Sequence, residues 1–234
     1  MNTLGKCLSS WNIDIDKKTS ELFDRYYELL IFYNDKINLT SITAREDVDI
    51  KHFADSIVLL RYTDLSGKHI ADIGTGAGFP GIPLKIMCPD CKMVLMDSLG
   101  KRVTFLKEVI KELGLTDTVA VHGRAEDLAK DRQYREMFDT VTSRAVSNLR
   151  TLSEYCLPFV CVGGKFVSYK SGNIDGELSE GANAISTLGG KVDRIERFVL
   201  PLTDYERSLI MIEKTGNTPD RFPRKAGTPL KKPL

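Results

Sequence analysis

Long hydrophobic runs are absent from this chain of 234 residues. No stretch approaches the roughly 20 consecutive apolar residues that a membrane-spanning helix needs. The N-terminal segment Met1–Trp11 also lacks the basic start, apolar run and small-residue cleavage site of a secretory signal peptide. We therefore expect a cytoplasmic protein that does not bind a membrane, built as one large domain or one domain with an extension.

Cysteine is scarce, with five residues in the chain, and only Cys88 and Cys91 have the CxxC spacing. An odd number of cysteines does not suggest a disulfide framework. A structural zinc site usually needs four ligands at paired spacings, and no second pair exists among the other cysteines and the three histidines. We expect reduced cysteines and no metal.

Neither sign of charge predominates, because 33 basic residues stand against 32 acidic ones and the net charge is +1. The balance is uneven along the chain. The segment from residue 221 to the end has no acidic residue and contains Arg221, Arg224, Lys225, Lys231 and Lys232. Such a basic end favours contact with a polyanion. A solvated tail without a function is the alternative, and charge alone leaves both open.

The first sixty residues are predicted to be helical. Apolar residues recur at helical spacing from Thr19 to about Lys36 and predict an amphipathic helix. Thr43 and Glu46 have the spacing of a capping box, which predicts a second helix that runs to about Leu60.

Strand and helix patterns alternate after Gly67, which predicts a parallel sheet with helices on both faces. The predicted strands are His69–Ile73, Met93–Met96, Val119–Val121, Phe138–Thr142 and Lys165–Tyr169. The predicted helices are Pro80–Met87, Lys101–Leu113 and Leu149–Val160.

Two further strand patterns, Val192–Leu200 and Ser208–Glu213, are separated by a short loop. This spacing suits a hairpin, so we expect an antiparallel strand to end the sheet. The resulting domain boundaries are a helical extension over residues 1–66, a main domain over 67–220 and a basic tail over 221–234.

A glycine-rich turn follows the first predicted strand, with Gly74, Gly76, Gly78 and Gly81 in close succession. Glycines allow a tight turn and let the backbone approach a ligand closely. A nucleoside triphosphate site would need Lys-Ser or Lys-Thr after these glycines, and neither is present. A GxGxxG spacing is met from Gly76, so the turn fits either a dinucleotide or S-adenosylmethionine.

Asp97 ends the second predicted strand, 19 residues after Gly78. An acidic residue at this position can accept both ribose hydroxyls of an adenine nucleoside. A helix cap is the alternative, since a helix is predicted from Lys101. Arg124–Glu126 follows the third strand, where a loop that contacts adenine would lie, and together with the antiparallel hairpin it favours S-adenosylmethionine.

Several short motifs occur together in an order that is specific as a set: Asn38–Thr40, His52–Ser56, Asp72–Gly81, Asp97–Ser98 with Lys101–Arg102, Arg124–Glu126, Ser143–Ala145, Pro223–Lys225 and Pro229–Pro233. Over nearly its whole length the chain resembles the bacterial glucose-inhibited division protein B family, also called ribosomal RNA small subunit methyltransferase G. The resemblance implies a class I S-adenosylmethionine-dependent methyltransferase, with a Rossmann-like, mostly parallel seven-stranded sheet and an antiparallel C-terminal strand. It also implies methyl transfer to N7 of a guanine in 16S ribosomal RNA.

The resemblance implies cofactor contacts at Gly74, Phe79, Ala125–Glu126 and Arg144, in addition to Gly76 and Asp97 from the turn and strand patterns. We place His52, Asp55 and Arg144 near the target base, because His52 and Asp55 lie three apart on one helix and Arg144 follows the fourth strand. Purely structural roles, as helix lock or ion-pair partner, are the alternatives.

The expected partner is small-subunit ribosomal RNA or its ribonucleoprotein particle, bound by a monomer. Candidate phosphate contacts are Lys101, Arg102 and the basic residues of the tail. The competing functions are methyl transfer to a small molecule or protein, a nicotinamide-dependent oxidoreductase, and a nucleotide-binding protein without enzyme activity.

Overall fold

A computed structural model describes residues 2–144 and 147–234. Seven strands form one sheet in the order β3-β2-β1-β4-β5-β7-β6. Their bounds are β1 (His69–Ile73), β2 (Lys92–Asp97), β3 (Thr118–His122), β4 (Phe138–Arg144), β5 (Val160–Ser171), β6 (Gly190–Val199) and β7 (Glu206–Lys214). The predicted strands are thus confirmed, most of them one or two residues longer.

Strand direction agrees with the predicted mixed sheet. β1 pairs in parallel with β2 and β4, and the parallel order continues to β3 and β5. β7 is antiparallel to both β5 and β6. The hairpin is therefore confirmed, but the antiparallel strand does not form the edge of the sheet. It is inserted between β5 and β6, and β6 forms the edge.

Helices cover both faces of this sheet. Their bounds are α1 (Thr3–Ser9), α2 (Lys17–Ile37), α3 (Arg45–Val48), α4 (Asp55–Ile57), α5 (Gly81–Met87), α6 (Gly100–Glu112), α7 (Ala125–Leu128), α8 (Leu149–Cys156), α9 (Asp175–Thr187) and α10 (Thr228–Lys231). One core packs the N-terminal helices, α5 and α6 against one face, and a second packs α8 and α9 against the other. Strand residues alternate between the two, as the pleat requires.

The N-terminal extension is part of the first core and not an appendage, because Phe23, Tyr26 and Phe53 are fully buried there together with residues of α5 and α6. α2 agrees with the predicted helix. Its C-terminal cap is Asn38, at φ +52°, a conformation that asparagine tolerates.

The second predicted helix begins at Arg45 and reaches Arg61, but it is irregular: a π-helical stretch, Asp49–Ala54, interrupts it. The predicted capping box is wrong, since Ala44 is the N-cap and no side chain caps it. Arg45 holds this end of the helix instead, through ion pairs with Asp24 and Asp49.

Four helices were not predicted individually, although α1 lies within the region predicted to be helical. α1 and α9 are regular helices of 7 and 13 residues, and α7 and α10 are single turns. The helix predicted over Leu149–Val160 ends at Cys156, because a 3-10 turn with Pro158 follows and Val160 already belongs to β5. No helix in the described part of the chain is long and apolar enough to cross a bilayer.

Candidate functional site

The glycine turn between β1 and α5 is built around the carboxylate of Asp72. Its Oδ2 accepts hydrogen bonds from Thr75 Oγ1 at 2.6 Å and from the backbone N–H of Gly81 at 2.9 Å. Thr142 Oγ1, from the neighbouring strand β4, donates to Oδ1 at 3.1 Å. Burial raises the pKa of Asp72 from 3.8 to about 6, and these hydrogen bonds act in the opposite direction. The carboxylate thereby fixes both ends of the turn.

Glycine is required in this turn for two different reasons. Gly74 and Gly76 have φ values of +68° and +63°, in the left-handed region that L side chains rarely adopt. Gly81 is needed for space, because a Cβ there would collide with Cδ2 of Leu95 and lie 3.0 Å from Oδ2 of Asp72. The turn can therefore lie directly against the ends of β1 and β2.

Helix α2 supports the turn from the side of the N-terminal extension. Tyr26 is fully buried, and its hydroxyl donates a 2.5 Å hydrogen bond to the carbonyl oxygen of Ala77. Its ring packs 5.5 Å from that of Phe79 and 5.4 Å from that of Phe53, centroid to centroid. The extension and the turn therefore form one rigid wall.

Asp97, the last residue of β2, contacts the glycine turn on the side opposite to Tyr26. Its Oδ2 accepts a hydrogen bond from the N–H of Gly76 at 2.9 Å, and Oδ1 accepts one from the N–H of Leu99. The guanidinium of Arg102 lies 3.6 Å from Oδ2. Each carboxylate oxygen can accept a second hydrogen bond, so Asp97 keeps acceptor capacity for two further donors.

These groups open onto a cavity of about 1030 Å³ at the carboxyl edge of the parallel strands. Its wall includes the turn, the ends of β2 and β4, and parts of the N-terminal extension. Of the predicted site residues it contains His52, Asp55, Gly74, Gly76, Phe79, Asp97, Arg102 and Arg144. Ligands of open α/β sheets bind at this edge, where the strand order reverses.

His52 enters the cavity from the π-helical stretch. Its ring stacks on Phe79 at 4.5 Å between centroids, and Nε2 lies 2.9 Å from Thr40 Oγ1. Burial lowers the pKa of His52 from 6.5 to about 3, with a further contribution from the charge of Arg144. His52 is therefore neutral near pH 7, and its imidazole ring forms an uncharged polar part of the cavity wall.

Asp55 joins two arginines that come from different parts of the sheet. Its Oδ2 lies 2.9 Å from Nη1 of Arg144, at the end of β4, and its Oδ1 lies 3.4 Å from Nε of Arg207, near the start of β7. Burial raises the pKa of the Asp55 carboxyl, and both arginine charges oppose that shift. The guanidinium of Arg144 also lies 5.0 Å from the centre of the Phe79 ring.

Arg207 and several other wall residues are absent from the sequence predictions. The strand directions explain their presence: β7 starts, and β6 ends, at the edge where the parallel strands end. Arg207 and Phe198 are opposite each other in the β6–β7 register, and both line the cavity. The predicted hairpin gives a signal for these residues, because a strand antiparallel to β5 has to start at the edge where β5 ends. Ser147, Tyr169 and Lys170 complete that side.

Comparison with known proteins decides the family. The family model described as rRNA small subunit methyltransferase G matches residues 19–210. The chain belongs to this family. The matched range contains the glycine turn and Asp97, and also Asp55 with its two partners Arg144 and Arg207.

Curated members of the family are similar over nearly their full length. The ribosomal RNA small subunit methyltransferase G of Lactobacillus johnsonii is 47% identical over 98% of this chain and 97% of its own. That of Lachnoclostridium phytofermentans is 50% identical over 97% of this chain and 94% of its own.

Solved structures with the same fold are more distant. A ribosomal protein L11 methylase from Lactobacillus delbrueckii superposes with a TM-score of 0.54 at 15% identity, covering 71% of this chain and 79% of its own. The M. jannaschii protein TYW2, solved in complex with AdoMet, gives a TM-score of 0.52 at 14% identity over 65% and 71%. These likenesses confirm the class I methyltransferase fold expected for the family.

Ala125 and Glu126, which the family resemblance assigns to the cofactor, are not part of the cavity wall. The carboxylate of Glu126 accepts a 2.8 Å hydrogen bond from the N–H of Gly227 in the C-terminal segment. The preceding loop stays beside the site, since Gly123 donates its N–H to the carbonyl oxygen of Asp97. Their cofactor contact stays a prediction. Ala145, the last residue of the Ser143–Ala145 motif, lies outside the described residues.

The basic C-terminal segment is packed on the domain and is not a free tail. Phe222 is buried, and Arg150 donates to the carbonyl oxygens of Pro233 and Leu234. Arg224, predicted as a phosphate contact, forms a bidentate ion pair with the fully buried Glu154, and its phosphate contact stays a prediction. The remaining predicted cations of the segment are exposed: Arg221, Lys225, Lys231 and Lys232. Lys101 is also exposed.

The CxxC pair, Cys88 and Cys91, lies in the turn after α5 and does not line the cavity. The ammonium of the buried Lys85 donates to the carbonyl oxygens of Pro89 and Cys91, which stabilises the turn. Burial raises the pKa of Cys88 to about 12, so its thiol is protonated and unreactive near neutral pH. Among residues 2–144 and 147–234, no group of three or more His, Cys, Asp and Glu residues could hold a metal ion.

Proposed function

We propose that this chain transfers a methyl group from S-adenosylmethionine to N7 of a guanine in small-subunit ribosomal RNA. Full-length similarity to ribosomal RNA small subunit methyltransferases supports the substrate class. The single structural observation that carries the proposal is the joint cavity, in which the glycine turn and Asp97 share one wall with the cluster of His52, Asp55 and Arg144.

The cofactor fits the groups at the turn. Asp97 has acceptor capacity for two ribose hydroxyls, while the bonds from Gly76 and Leu99 fix the direction of its carboxylate. Leu99 lines the cavity next to it and offers apolar surface to the adenine. Gly74, Gly76 and Phe79 would contact the amino-acid part. When bound, the cofactor supplies an activated methyl group on a sulfonium.

The residues of the chain have to orient the guanine and need not remove a proton. Guanine N7 has a lone pair in the plane of the ring, so it is nucleophilic without a general base. A neutral His52 agrees with this requirement, because an imidazole with a pKa of about 3 accepts no proton at neutral pH. Catalysis then rests on proximity and orientation.

Asp55 acts as a positioning residue. Both of its carboxylate oxygens are directed at guanidinium groups, those of Arg144 and Arg207. A carboxylate so engaged fixes the two arginines in the cavity and offsets part of their positive charge. This is favourable for methylation of N7, because the guanine ring itself becomes positively charged as the methyl group is transferred.

The location of N7 restricts the RNA structure that can be a substrate. N7 lies on the major-groove edge, which side chains do not reach in an A-form helix. We propose that the target guanine is unpaired or extruded when it enters the cavity.

The proposal is tested with small ribosomal subunits from cells that lack the protein. We expect tritium from labelled cofactor to appear in the 16S RNA, at one guanine that becomes sensitive to cleavage at 7-methylguanine. Label in protein or in metabolites would instead support methylation of another substrate. Calorimetric binding of NADH but not of S-adenosylhomocysteine would support an oxidoreductase, and cofactor binding without transfer to RNA would support a binding protein.

A further inference from the structure

Three side chains from two distant segments meet beside the cavity: Lys51, Tyr205 and Arg207, which we call the rim cluster. The ammonium of Lys51 lies 5.2 Å and the guanidinium of Arg207 5.7 Å from the centre of the Tyr205 ring. Lys51 and Arg207 line the cavity, whereas Tyr205 is 46% exposed. An exposed aromatic ring therefore lies within 6 Å of two cations that line the cavity.

The loop between β6 and β7 holds Tyr205 in place. The N–H of Leu200 donates to the carbonyl oxygen of Tyr205 at 3.0 Å, and the N–H of Tyr205 donates to Thr203 Oγ1 at 3.1 Å. Thr203 in turn donates its hydroxyl to the carbonyl oxygen of Leu200. Because the backbone is fixed on both sides, little conformational freedom is lost when the ring binds a partner.

Part of the positive charge of the rim cluster is offset, because Nε of Arg207 lies 3.4 Å from Oδ1 of Asp55. A ligand can still meet the ammonium of Lys51 and the other N–H donors of the Arg207 guanidinium. Lys51 pairs with Asp47 at 2.7 Å, but the Asp47 side chain is 47% exposed, and such surface pairs are weak. Glu206 lies between Tyr205 and Arg207 in sequence. The alternation of side chains along a strand directs Glu206 to the opposite face of the hairpin.

We infer that the rim cluster binds the unpaired RNA segment that adjoins the target guanine. Tyr205 would stack on a base of that segment, and Lys51 and Arg207 would contact its phosphates. This inference rests on the proposed function, since it presupposes an RNA substrate. Alternating aromatic rings and cations are the usual means by which proteins bind single-stranded nucleic acid.

The chemistry of the cluster favours RNA over a protein partner. A protein would use the apolar side chains nearby, Val199 and Leu202, which are exposed on the same hairpin. Neither of them lines the cavity, however, whereas two of the three members of the rim cluster do. Because Lys51 and Arg207 also line the cavity, the rim cluster can contact the same RNA segment that carries the target guanine.

The first test separates stacking from charge. We expect Tyr205→Leu to raise the KM for small subunits about five- to a hundredfold, in proportion to the loss of one base stack. Tyr205→Trp should restore it, and neither change should alter the affinity for S-adenosylhomocysteine. Phe32→Leu is the matched control, because Phe32 is likewise exposed next to a lysine, Lys36 at 3.7 Å, but lies outside the cavity wall.

The second test concerns the phosphates. We expect Lys51→Met to lower the slope of log Kd against log salt concentration by about 0.7, as for one lost contact to a single strand. Lys36→Met should leave the slope unchanged.

The third test identifies the partner directly. A photoreactive phenylalanine analogue at position 205 should crosslink to 16S RNA within a few nucleotides of the methylated guanine, and one at position 32 should not. If the wild-type protein methylates the RNA but the crosslinks reach only ribosomal protein, or Tyr205→Leu has wild-type KM, the inference is overturned while the proposed function stands. Absence of transfer by the wild type would overturn both.

Discussion

Tyr26 and Ala77 are joined by a 2.5 Å hydrogen bond from the tyrosine hydroxyl to the alanine carbonyl oxygen. The bond connects helix α2 of the N-terminal extension to the middle of the glycine turn. The extension is therefore a structural component of the site, and changes within it are expected to affect both stability and ligand binding.

We expect Tyr26→Phe to lower the free energy of unfolding by about 1–3 kcal/mol, because a buried carbonyl oxygen loses its partner. The affinity for S-adenosylhomocysteine should fall as well. Urea unfolding and calorimetry measure the two effects. Tyr27→Phe is the control, since its hydroxyl bonds to the carbonyl oxygen of Thr43 near the surface. Equal effects of the two changes would contradict the supporting role of Tyr26.

We expect Asp55→Asn to reduce the rate of methyl transfer more than tenfold and to leave cofactor affinity nearly unchanged. The amide no longer pairs with the guanidinium groups of Arg144 and Arg207, which lose their fixed positions. Single-turnover transfer to small subunits and calorimetry measure the two quantities. Asp193→Asn, which removes an exposed ion pair with Lys165, should behave as the wild type. An unchanged transfer rate in Asp55→Asn would refute the positioning role.

Protonation of His52 should destabilise the folded state in acid. The unfolded chain takes up this proton near pH 6.5 and the folded one only near pH 3, so the unfolded state binds more protons between these values. The contribution of His52 to stability is therefore lost as the pH falls from 6.5 to 3. We expect His52→Gln to flatten the pH dependence of unfolding in this range, measured by urea titration.

Because the pKa of His52 is lowered to about 3, we expect no inflection caused by His52 in the pH profile of methyl transfer between about pH 6 and 8. A drop below pH 6.5 that disappears in His52→Gln would show instead that His52 acts as a base. NMR titration of the imidazole gives an independent measurement, with no protonation expected down to pH 5.

We expect Arg224→Ala to destabilise the protein by about 3 kcal/mol, because it leaves the buried carboxylate of Glu154 without its charge partner. Lys225→Ala, one residue further along and exposed, should change stability by less than about 0.5 kcal/mol. Thermal and urea unfolding compare the two. Similar stabilities would show that the bidentate pair contributes little.

Substitution of the exposed cations of the C-terminal segment tests RNA binding without a large effect on stability. Deletion of residues 221–234 would not, because it would also remove the buried Phe222 and leave Glu154 without its partner. We expect the combined change of Lys225, Lys231 and Lys232 to glutamine to weaken binding to 16S RNA and to reduce its salt dependence. Filter binding at several salt concentrations measures both. Unchanged affinity would mean that the segment has a structural role only.

Local patterns were sufficient for most of the fold. Strand alternation and glycine spacing predicted β1, the turn and the place of Asp97 at the end of β2 correctly, because these features depend on neighbouring residues. The contact of Asp97 with the cofactor stays a prediction. The sequence did not predict that Asp55 would join Arg144 to Arg207, since the three are brought together only by the order and direction of the strands. The ion pair of Arg224 with Glu154 was not predicted for the same reason, since the two lie 70 residues apart.

The insertion of β7 between β5 and β6 has a consequence for synthesis of the chain. β7 is the last strand to emerge, yet it occupies an interior position in the sheet and carries Arg207. A chain that stops before Glu206 has two unpaired strand edges, and its cavity lacks the wall that β7 supplies. The wall of the cavity that contains Arg207 is therefore completed only when this final strand has entered the sheet.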